Sequence, residues 1–190
     1  MALEIESLAI PEVKIIRPKR HGDHRGFFSE VYNKQAFDAA GIALDFVQDN
    51  HSRSAEVGTL RGLHFQTHPF AQDKLVRVVK GAILDVAVDI RTGSPSRGQH
   101  VAARISAEAW NQILVPVGFA HGFVTLEPDT EVLYKVTAFY APDHDKGLRW
   151  NDPALGIDWG VDEAAAILSA KDREQPMLAE LGDHFAYTAA

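Results

Sequence analysis

The sequence contains no cysteine, which excludes disulfide bonds and thiolate metal sites and suits a reducing compartment. It also has no uninterrupted apolar segment near the roughly 20 residues that a membrane-spanning helix needs. The first residues, MALEIESLAIPEVK, lack the basic flank and apolar run of a secretory signal. Together these absences predict a cytoplasmic protein that does not enter a membrane.

Positive charge is also scarce, with 19 Lys and Arg against 26 Asp and Glu, a net charge of −7 at pH 7. Such a chain has no long-range field that would attract polyanions, so nucleic acid is not an expected partner. A small anionic ligand remains compatible with this charge if a few arginines gather locally. The length of 190 residues and the 46% hydrophobic content predict one globular domain, residues 1–190.

The chain is predicted to be mainly β, because short runs of β-forming residues alternate with turn signals. Many short strands at regular spacing favour a closed barrel or a jelly roll. Helix is predicted for residues 34–40, which end at Gly41, and from Asp162 onward, with an interruption at Pro176. The predicted strands are 13–16, 26–32, 44–48, 60–66, 75–79, 82–90, 100–105, 113–115, 119–126 and 130–140.

Strand alternation places several polar residues on shared faces. Asp85 and Asp89 share one face of strand 82–90, which either lines a polar cavity or is exposed. In strand 60–66, His64 and Arg61 face opposite sides unless a bulge at Gly62 turns the arginine. The pattern alone leaves both choices open.

Three further residues also have two interpretations. Lys74 continues an apolar face, and the pattern favours an edge lysine with its ammonium in water over a cavity residue. For Tyr134 the pattern favours a core tyrosine with a satisfied hydroxyl over a residue that acts in a cavity. Ser169 and Asp172 begin and end an S-x-x-D sequence, which indicates a helix cap.

A metal site is disfavoured, although His64 and His121 lie in two β motifs where such a site is common. A metal would need three or four His or carboxylate ligands. Gln66 follows His64 at a spacing of two, and Lys74 stands where an acidic ligand is expected. An ammonium cannot bind a metal ion. A loop that brings His68 to the two histidines is the remaining way to build such a site.

Eight segments, in order from about Val13 to Asp172, resemble the dTDP-4-dehydrorhamnose 3,5-epimerase family. They are GDHRGFFSE, FVQDNHSRS, LRGLHFQ, DKLVRVVKGAILDVAVDIRTGSPSRGQ, PVGFAHGF, LYKVTAFYAP, LRWNDPALGIDW and LSAKD. The resemblance implies a cupin-type jelly-roll homodimer without metal or cofactor, with short helices chiefly at the C-terminus. It implies epimerisation at C3 and C5 of dTDP-4-dehydro-6-deoxy-D-glucose, giving dTDP-4-dehydro-L-rhamnose in dTDP-L-rhamnose biosynthesis.

The resemblance also implies roles for individual residues. His64 would be the base next to the keto group, Asp172 its supporting carboxylate, Tyr134 the acid on the other sugar face and Lys74 the cation at the enolate oxygen. Tyr140 and Phe27 would contact the thymine ring. The positions that match substrate-binding positions are Arg25, Phe27, Glu30, Gln48, Asp49, Asn50, Arg61, His121, Tyr140, Asp145 and Lys171. Asp145 stands where the family often has glutamate.

Three other functions remain open at this point. The barrel could serve a mono-epimerase or ketoisomerase that acts on a related 4-keto sugar nucleotide. It could also be a sugar-binding protein without catalysis, or a metal-dependent enzyme of the same fold. Product analysis, hydrogen exchange and metal analysis distinguish these functions from one another.

Overall fold

The computed structural model describes residues 3–189, so residues 1, 2 and 190 of the predicted domain lie outside the described part. Two antiparallel sheets and a separate hairpin contain the named strands. In chain order these are β1 (Glu4–Ser7), β2 (Lys14–Arg17), β3 (His21–Asp23), β4 (Gly26–Phe28), β5 (Gln48–Ser54), β6 (Leu60–Gln66), β7 (Lys74–Lys80), β8 (Ala82–Asp89), β9 (His100–Ser106), β10 (Gln112–Val115), β11 (Phe119–Thr125), β12 (Thr130–Val136) and β13 (Asp145–Gly147).

Strands that are far apart in sequence are neighbours in both sheets. The larger sheet has the order β1-β2-β10-β7-β12-β5, the smaller sheet has the order β13-β6-β11-β8-β9, and β3 pairs with β4. These strand pairs are antiparallel. An antiparallel arrangement that joins distant strands in two sheets is typical of a jelly roll. The predicted mainly β, jelly-roll architecture is therefore confirmed.

The core lies between the inner faces of the two sheets. Val76 and Val78 of β7 pack with Ile83 and Ala87 of β8 and with Phe119 of β11, and all five side chains are buried. Burial of a large apolar side chain contributes about 1.5–3 kcal/mol. The two sheets are therefore held face to face mainly by these contacts.

Two further segments cover the outer faces of the sheets. Helix α1 (Lys34–Ala39) is capped by Asn33, whose Oδ1 accepts from the backbone N–H of residue 36 at 3.2 Å. Its Phe37 packs with Ile16 on the larger sheet. Trp150 and Trp159 belong to the cluster that covers the smaller sheet. The C-terminal third of the chain thus packs onto the barrel.

Several predicted strands have different bounds in the structure. The strand after α1 is β5, not 44–48, and its outward residues are polar and exposed, so no apolar alternation marks it. The predicted strands 26–32 and 130–140 end early, at Phe28 and Val136. Strands β1, β3 and β13 were not predicted, because they are short and consist mainly of polar residues and glycine, so no apolar run marks them.

The helix predicted from Asp162 onward is mostly wrong. Residues 162–169 are not helical, because the backbone of Ile167 exchanges hydrogen bonds with Gly58 and Leu60 at 3.0 and 2.9 Å. These tertiary bonds override the helix propensity of an alanine-rich stretch. The helical segments after residue 140 are short: Pro142–His144, α2 (Ala170–Arg173) and Leu178–Glu180. Within residues 3–189, no helix is long and apolar enough to cross a membrane.

Candidate active site

His64 and Asp172 form the central pair of the site. His64 lies on β6 and Asp172 lies in α2, and the Nε2–H of His64 donates to Oδ1 of Asp172 at 2.5 Å. Because the carboxylate accepts this hydrogen bond, the proton of the neutral ring is on Nε2 and the basic lone pair is on Nδ1. The side chain of His64 is 31% exposed and that of Asp172 is 5% exposed. The imidazole can therefore exchange a proton with a bound molecule while the carboxylate orients it from behind.

The local structure keeps the Asp172 carboxylate charged. Ser169 caps α2, and its Oγ accepts from the backbone N–H of Asp172 at 3.1 Å. Burial alone would raise the pKa of Asp172, but bonds from His64, Ser169 and the backbone N–H of Gly62 outweigh it and hold this pKa below its ordinary value. The predicted helix cap and the pairing with His64 therefore occur together.

The Lys74 ammonium lies inside the barrel next to His64. Lys74 begins β7, and its Nζ donates to the backbone carbonyl of His64 at 3.3 Å. Burial lowers the pKa of Lys74 to about 8, although the carboxylates of Asp145 and Asp85 act in the opposite direction. Lys74 is therefore a cavity residue, and the alternative of an edge lysine with its ammonium in water is wrong.

Tyr134 faces His64 from the other sheet. It lies on β12 of the larger sheet, whereas His64 lies on β6 of the smaller sheet, and both line the same cavities. Burial raises the pKa of Tyr134, with the nearby Arg61 charge opposing the change. The phenol therefore stays protonated at neutral pH and can donate a proton from the side opposite the imidazole.

His121 forms a second histidine–carboxylate pair that the sequence analysis did not identify. Its Nε2 lies 2.9 and 2.8 Å from the two carboxylate oxygens of Asp85, and both side chains are buried. The face that carries Asp85 and Asp89 is interior, so the exposed alternative is wrong. Asp89 instead pairs with Arg91 at 2.7 Å. A carboxylate on an otherwise apolar face was the sequence signal for both pairs.

A β-bulge at Gly62 turns Arg61 toward the cavity. His64 is opposite His121, and Arg61 is opposite Phe123. From Arg61 to His64 the chain advances three residues on β6, whereas β11 advances only two over the same length, so β6 contains one extra residue, which is a β-bulge. Gly62 has a φ of 128°, and a Cβ there would come within 2.6 Å of the β11 backbone. The position requires glycine, and the bulge alternative for Arg61 is confirmed.

Two adjoining cavities of about 220 and 260 Å³ form the candidate site, and they share His64, Lys74 and Tyr134. Eleven of the fifteen predicted site residues line one cavity or both: His64, Lys74, Tyr134, Asp172, Gln48, Asn50, Arg61, His121, Tyr140, Asp145 and Lys171. Residues that are distant in sequence are therefore brought to one place. Four predicted residues do not line these cavities: Arg25, Phe27, Glu30 and Asp49.

Two of the four lie on the hairpin of β3 and β4, away from the cavities. Arg25 pairs with Asp23 at 2.6 Å. The ring of Phe27 is 54% exposed, and it meets the ring of Trp110 edge-on, with the centroids 4.6 Å apart. This chain by itself does not bring the hairpin to the cavity that holds His64.

The other two lie on the outer surface. Glu30 follows the hairpin and accepts a hydrogen bond from Asn33 at 3.0 Å. Asp49 points outward from β5 and pairs with Lys135 of β12 at 2.9 Å. Alternation explains this position, because the neighbours of Asp49 in sequence, Gln48 and Asn50, point inward.

Two of the cationic side chains that line the cavities have no carboxylate partner among the described residues. Lys171 donates to Asp145 at 2.5 Å, and the hydroxyl of Tyr140 donates to the same carboxylate at 3.1 Å. The negative charge of Asp145 is the main reason that the pKa of Tyr140 is raised. Within the described part of the chain, Arg61 and Lys74 form no ion pair. Both remain available to an anionic ligand.

Ser52 is a cavity residue that the sequence analysis missed. It points inward from β5, as Gln48 and Asn50 do, and it lines the same cavity as Arg61. Its Oγ is buried and has no hydrogen-bond partner among residues 3–189. The alternation of this polar strand was the available signal.

His68 does not join His64 and His121, which are cross-strand partners, in a metal site. His68 packs against Phe185, with their ring centroids 5.6 Å apart. Gln66 uses its side-chain amide to bond the backbone of Phe70 and Phe139. In residues 3–189, no three His, Asp or Glu side chains form a group that could hold a metal ion.

A jelly-roll barrel that sets a histidine–carboxylate pair and a lysine opposite a tyrosine defines a cupin-type enzyme that works by acid–base chemistry. The sequence model described as dTDP-4-dehydrorhamnose 3,5-epimerase matches residues 7–180. The chain belongs to this family of isomerases.

Individual relatives resemble the chain over almost its whole length. A dTDP-4-dehydrorhamnose 3,5-epimerase from Sinorhizobium fredii is 54% identical over 96% of this chain and 93% of the relative. The crystal structure of the Bacillus anthracis enzyme, with TDP and PPi bound, is 49% identical, covers 93% of this chain and 99% of its own, and has a TM-score of 0.89. The Legionella pneumophila dTDP-6-deoxy-D-glucose-3,5-epimerase, in complex with dTDP-4-keto-L-rhamnose, is 43% identical, covers 98% and 100%, and has a TM-score of 0.93.

Proposed function

We propose that this chain inverts C3 and C5 of dTDP-4-dehydro-6-deoxy-D-glucose and yields dTDP-4-dehydro-L-rhamnose, a step in dTDP-L-rhamnose biosynthesis. The observation that carries the proposal is the placement of His64 and Tyr134 on opposite sheets of one cavity, with Lys74 beside the histidine. Inversion needs a proton removed from one face of the sugar and returned to the other. This arrangement supplies a group for each face.

His64 acts as the base. A C–H next to a ketone loses its proton only if a base of suitable pKa lies within reach, and histidine titrates near neutrality. Because Nε2 is bonded to Asp172, Nδ1 takes the proton. The charged, buried carboxylate then stabilises the imidazolium that forms.

Lys74 stabilises the enolate. Proton removal moves negative charge to the C4 oxygen, and a fixed cation there is commonly the largest single contribution to such a step. With a pKa of about 8, Lys74 is mostly protonated at pH 7. Metal independence follows as part of the proposal, because the ammonium takes the place of a Lewis acid at this oxygen.

Tyr134 returns a proton to the opposite face of the sugar. Its raised pKa keeps the phenol protonated until the enolate takes up that proton.

Substrate binding is assigned to the polar groups around this centre. Arg61 and Lys171 would hold the diphosphate, since cationic side chains form strong bonds to phosphate oxygens. Tyr140 at the cavity mouth would stack on the thymine ring.

We also propose a homodimer in which the hairpin of β3 and β4 reaches the cavity of a second copy. Its Phe27 and Phe28 are 54% and 65% exposed, and exposed apolar patches of this kind mark interaction surfaces. Arg25 and Phe27 would then complete the partner's site, with Glu30 and Asp49 beside the same interface. This explains why four of the predicted binding residues lie outside the cavity of their own chain.

Mixing two inactive variants tests the shared site. Arg25→Ala and His64→Ala, unfolded and refolded together, form mixed dimers in which one site has both native residues. With random pairing, half of the dimers are mixed, and one of the two sites in each mixed dimer is native. The mixture should therefore show about one quarter of the native activity. Refolding of each variant alone is the control. A mixture without activity would contradict the shared site.

We also propose a single-domain, cytoplasmic enzyme. Residues 1–190 would act as one domain, which the core shared by both sheets supports. The absence of cysteine and the net charge of −7 support a cytoplasmic enzyme that has no nucleic-acid or membrane partner.

Incubation of the 4-keto sugar nucleotide with the protein in heavy water tests the reaction. We expect deuterium at both C3 and C5, seen by NMR and mass spectrometry. Label at one carbon alone would indicate a mono-epimerase, and a moved keto group would indicate a ketoisomerase. Binding without exchange would indicate a non-catalytic sugar-binding protein. Loss of activity after chelation, with recovery on metal addition, would indicate a metal-dependent enzyme.

A further inference from the structure

The segment that carries Tyr140 is held by glutamine side chains. Residues 138–141 follow the end of β12 and belong to no strand, so their backbone polar groups need other partners. Four of these groups bond a glutamine amide. The bonds are Gln72 Nε2 to Ala138 O at 2.8 Å, Gln66 Nε2 to Phe139 O at 3.1 Å, Tyr140 N to Gln48 Oε1 at 3.1 Å and Ala141 N to Gln66 Oε1 at 2.8 Å.

Two of these glutamines lie on strands of different sheets, and the third precedes a strand. Gln48 begins β5 in the larger sheet, Gln66 ends β6 in the smaller sheet, and Gln72 lies just before β7. Gln66 is 4% exposed, and it also donates to Phe70 O at 2.7 Å. Both of its N–H groups and its carbonyl are therefore engaged with backbone. It has no free N–H to offer a ligand.

The segment needs such support because its aromatic ring is otherwise free. Tyr140 is 58% exposed, and its hydroxyl donates one hydrogen bond, to the Asp145 carboxylate at 3.1 Å. Stacking on a base gains affinity only after the loss of backbone and side-chain freedom has been offset. A backbone fixed before binding removes part of that cost.

We propose that Gln66 and Gln72 are positioning residues, which fix residues 138–141 so that Tyr140 presents its ring to the nucleotide base. The inference rests on the proposed function, in which Tyr140 stacks on thymine. Amides suit this role next to a diphosphate, because they carry no charge that would repel the anion or change with pH. Where a metal-binding barrel would have a ligand, Gln66 instead anchors the base-binding segment.

Binding of two probes separates positioning from general damage to the site. Thymidine diphosphate has a base and phosphates, whereas inorganic pyrophosphate has phosphates alone. For Gln72→Leu, which removes one hydrogen bond to the segment, we expect Kd for thymidine diphosphate to rise about 2- to 10-fold. Gln66→Met removes two such bonds and should raise this Kd by at least as much. Kd for pyrophosphate should stay within twofold. Gln99→Leu, at an exposed position, is the matched control and should change neither.

A double-mutant cycle tests whether the glutamines act through the tyrosine. Tyr140→Ala should weaken thymidine diphosphate about 5- to 150-fold, the range of base–aromatic stacking. Adding Gln72→Leu to this variant should then have no further effect. Steady-state rates should show a raised KM with kcat within twofold, because the chemistry at His64 is unchanged.

Three results would overturn the inference. They are an equal loss of pyrophosphate binding, a Gln72→Leu effect that persists in full without the Tyr140 ring, and unchanged thymidine diphosphate binding in both glutamine variants. If Gln66→Met does not fold, the half-buried Gln72 carries the test alone. Failure of the native protein to bind thymidine diphosphate would instead contradict the proposed function.

Discussion

Lys74 should make the reaction sensitive to alkaline pH. Its pKa is lowered to about 8 by burial, and only the charged ammonium stabilises an enolate. With this pKa, about nine-tenths of the lysine is charged at pH 7 and about one-tenth at pH 9. If the neutral form is inactive, kcat/KM should fall about tenfold between these two pH values.

The assay follows loss of the C3 and C5 hydrogens of the 4-keto sugar nucleotide to heavy water, at substrate concentrations well below KM. Lys74→Arg should lower the rate but remove the alkaline decline, because a guanidinium stays charged throughout this range. Lys146→Arg, at an exposed position on β13, is the control and should keep the decline.

A decline that survives Lys74→Arg would refute the assignment. Tyr134 is not an alternative cause, because its pKa lies above the ordinary value of 10.0. At saturating substrate the decline of kcat should move to higher pH, since a bound diphosphate favours the charged ammonium. The same decline in kcat and in kcat/KM would indicate that the substrate anion lies far from Lys74.

Three further substitutions have distinct expected outcomes. Asp172→Asn should lower kcat by about 10²- to 10⁴-fold with an unchanged circular dichroism spectrum, and a loss below tenfold would remove the carboxylate from the mechanism. Tyr134→Phe should still exchange hydrogen for deuterium through His64 without inverting the sugar, so inverted product in NMR spectra would exclude Tyr134 as the acid. Asp89→Asn replaces the buried charged acceptor of Arg91, Ser94 and Ser96, but Arg91 keeps its pair with Glu12 at 2.8 Å. Because the arginine charge stays compensated, the free energy of unfolding should fall by about 1–3 kcal/mol in urea titrations, with KM unchanged; an unaltered midpoint would contradict this pairing.

The apolar strands of the fold could be predicted from the sequence, and the polar ones could not. Residues 60–66 and 82–90 contain apolar, β-forming residues, and they match β6 and β8 within one residue. β5 has exposed, charged outward residues, so neither of its faces has an apolar pattern. Residues 162–169 have helical composition but bond to β6 and the turn before it. Such contacts between distant segments are not encoded in a local window.

The candidate site shows the same division. The sequence pattern by itself favoured structural roles for Lys74, Tyr134 and Asp172, and the family resemblance implied their catalytic roles. The pairing of His121 with Asp85 was not predicted, because alternation gives the face of each residue but not its partner on the next strand. Arg61 depended on a bulge that the sequence only allowed. Glycine at position 62 was the one local sign of it.

The distance along the chain between the two members of the central pair affects how the enzyme is made. His64 and Asp172 are 108 residues apart, and α2, which carries the carboxylate, docks on β6. A ribosome adds roughly 5–20 residues per second, so several seconds separate synthesis of the base from synthesis of its support. A nascent chain that ends before α2 contains all thirteen named strands but lacks the carboxylate that orients His64. If the proposed roles of this pair hold, catalytic competence is acquired late in translation, when α2 docks on β6.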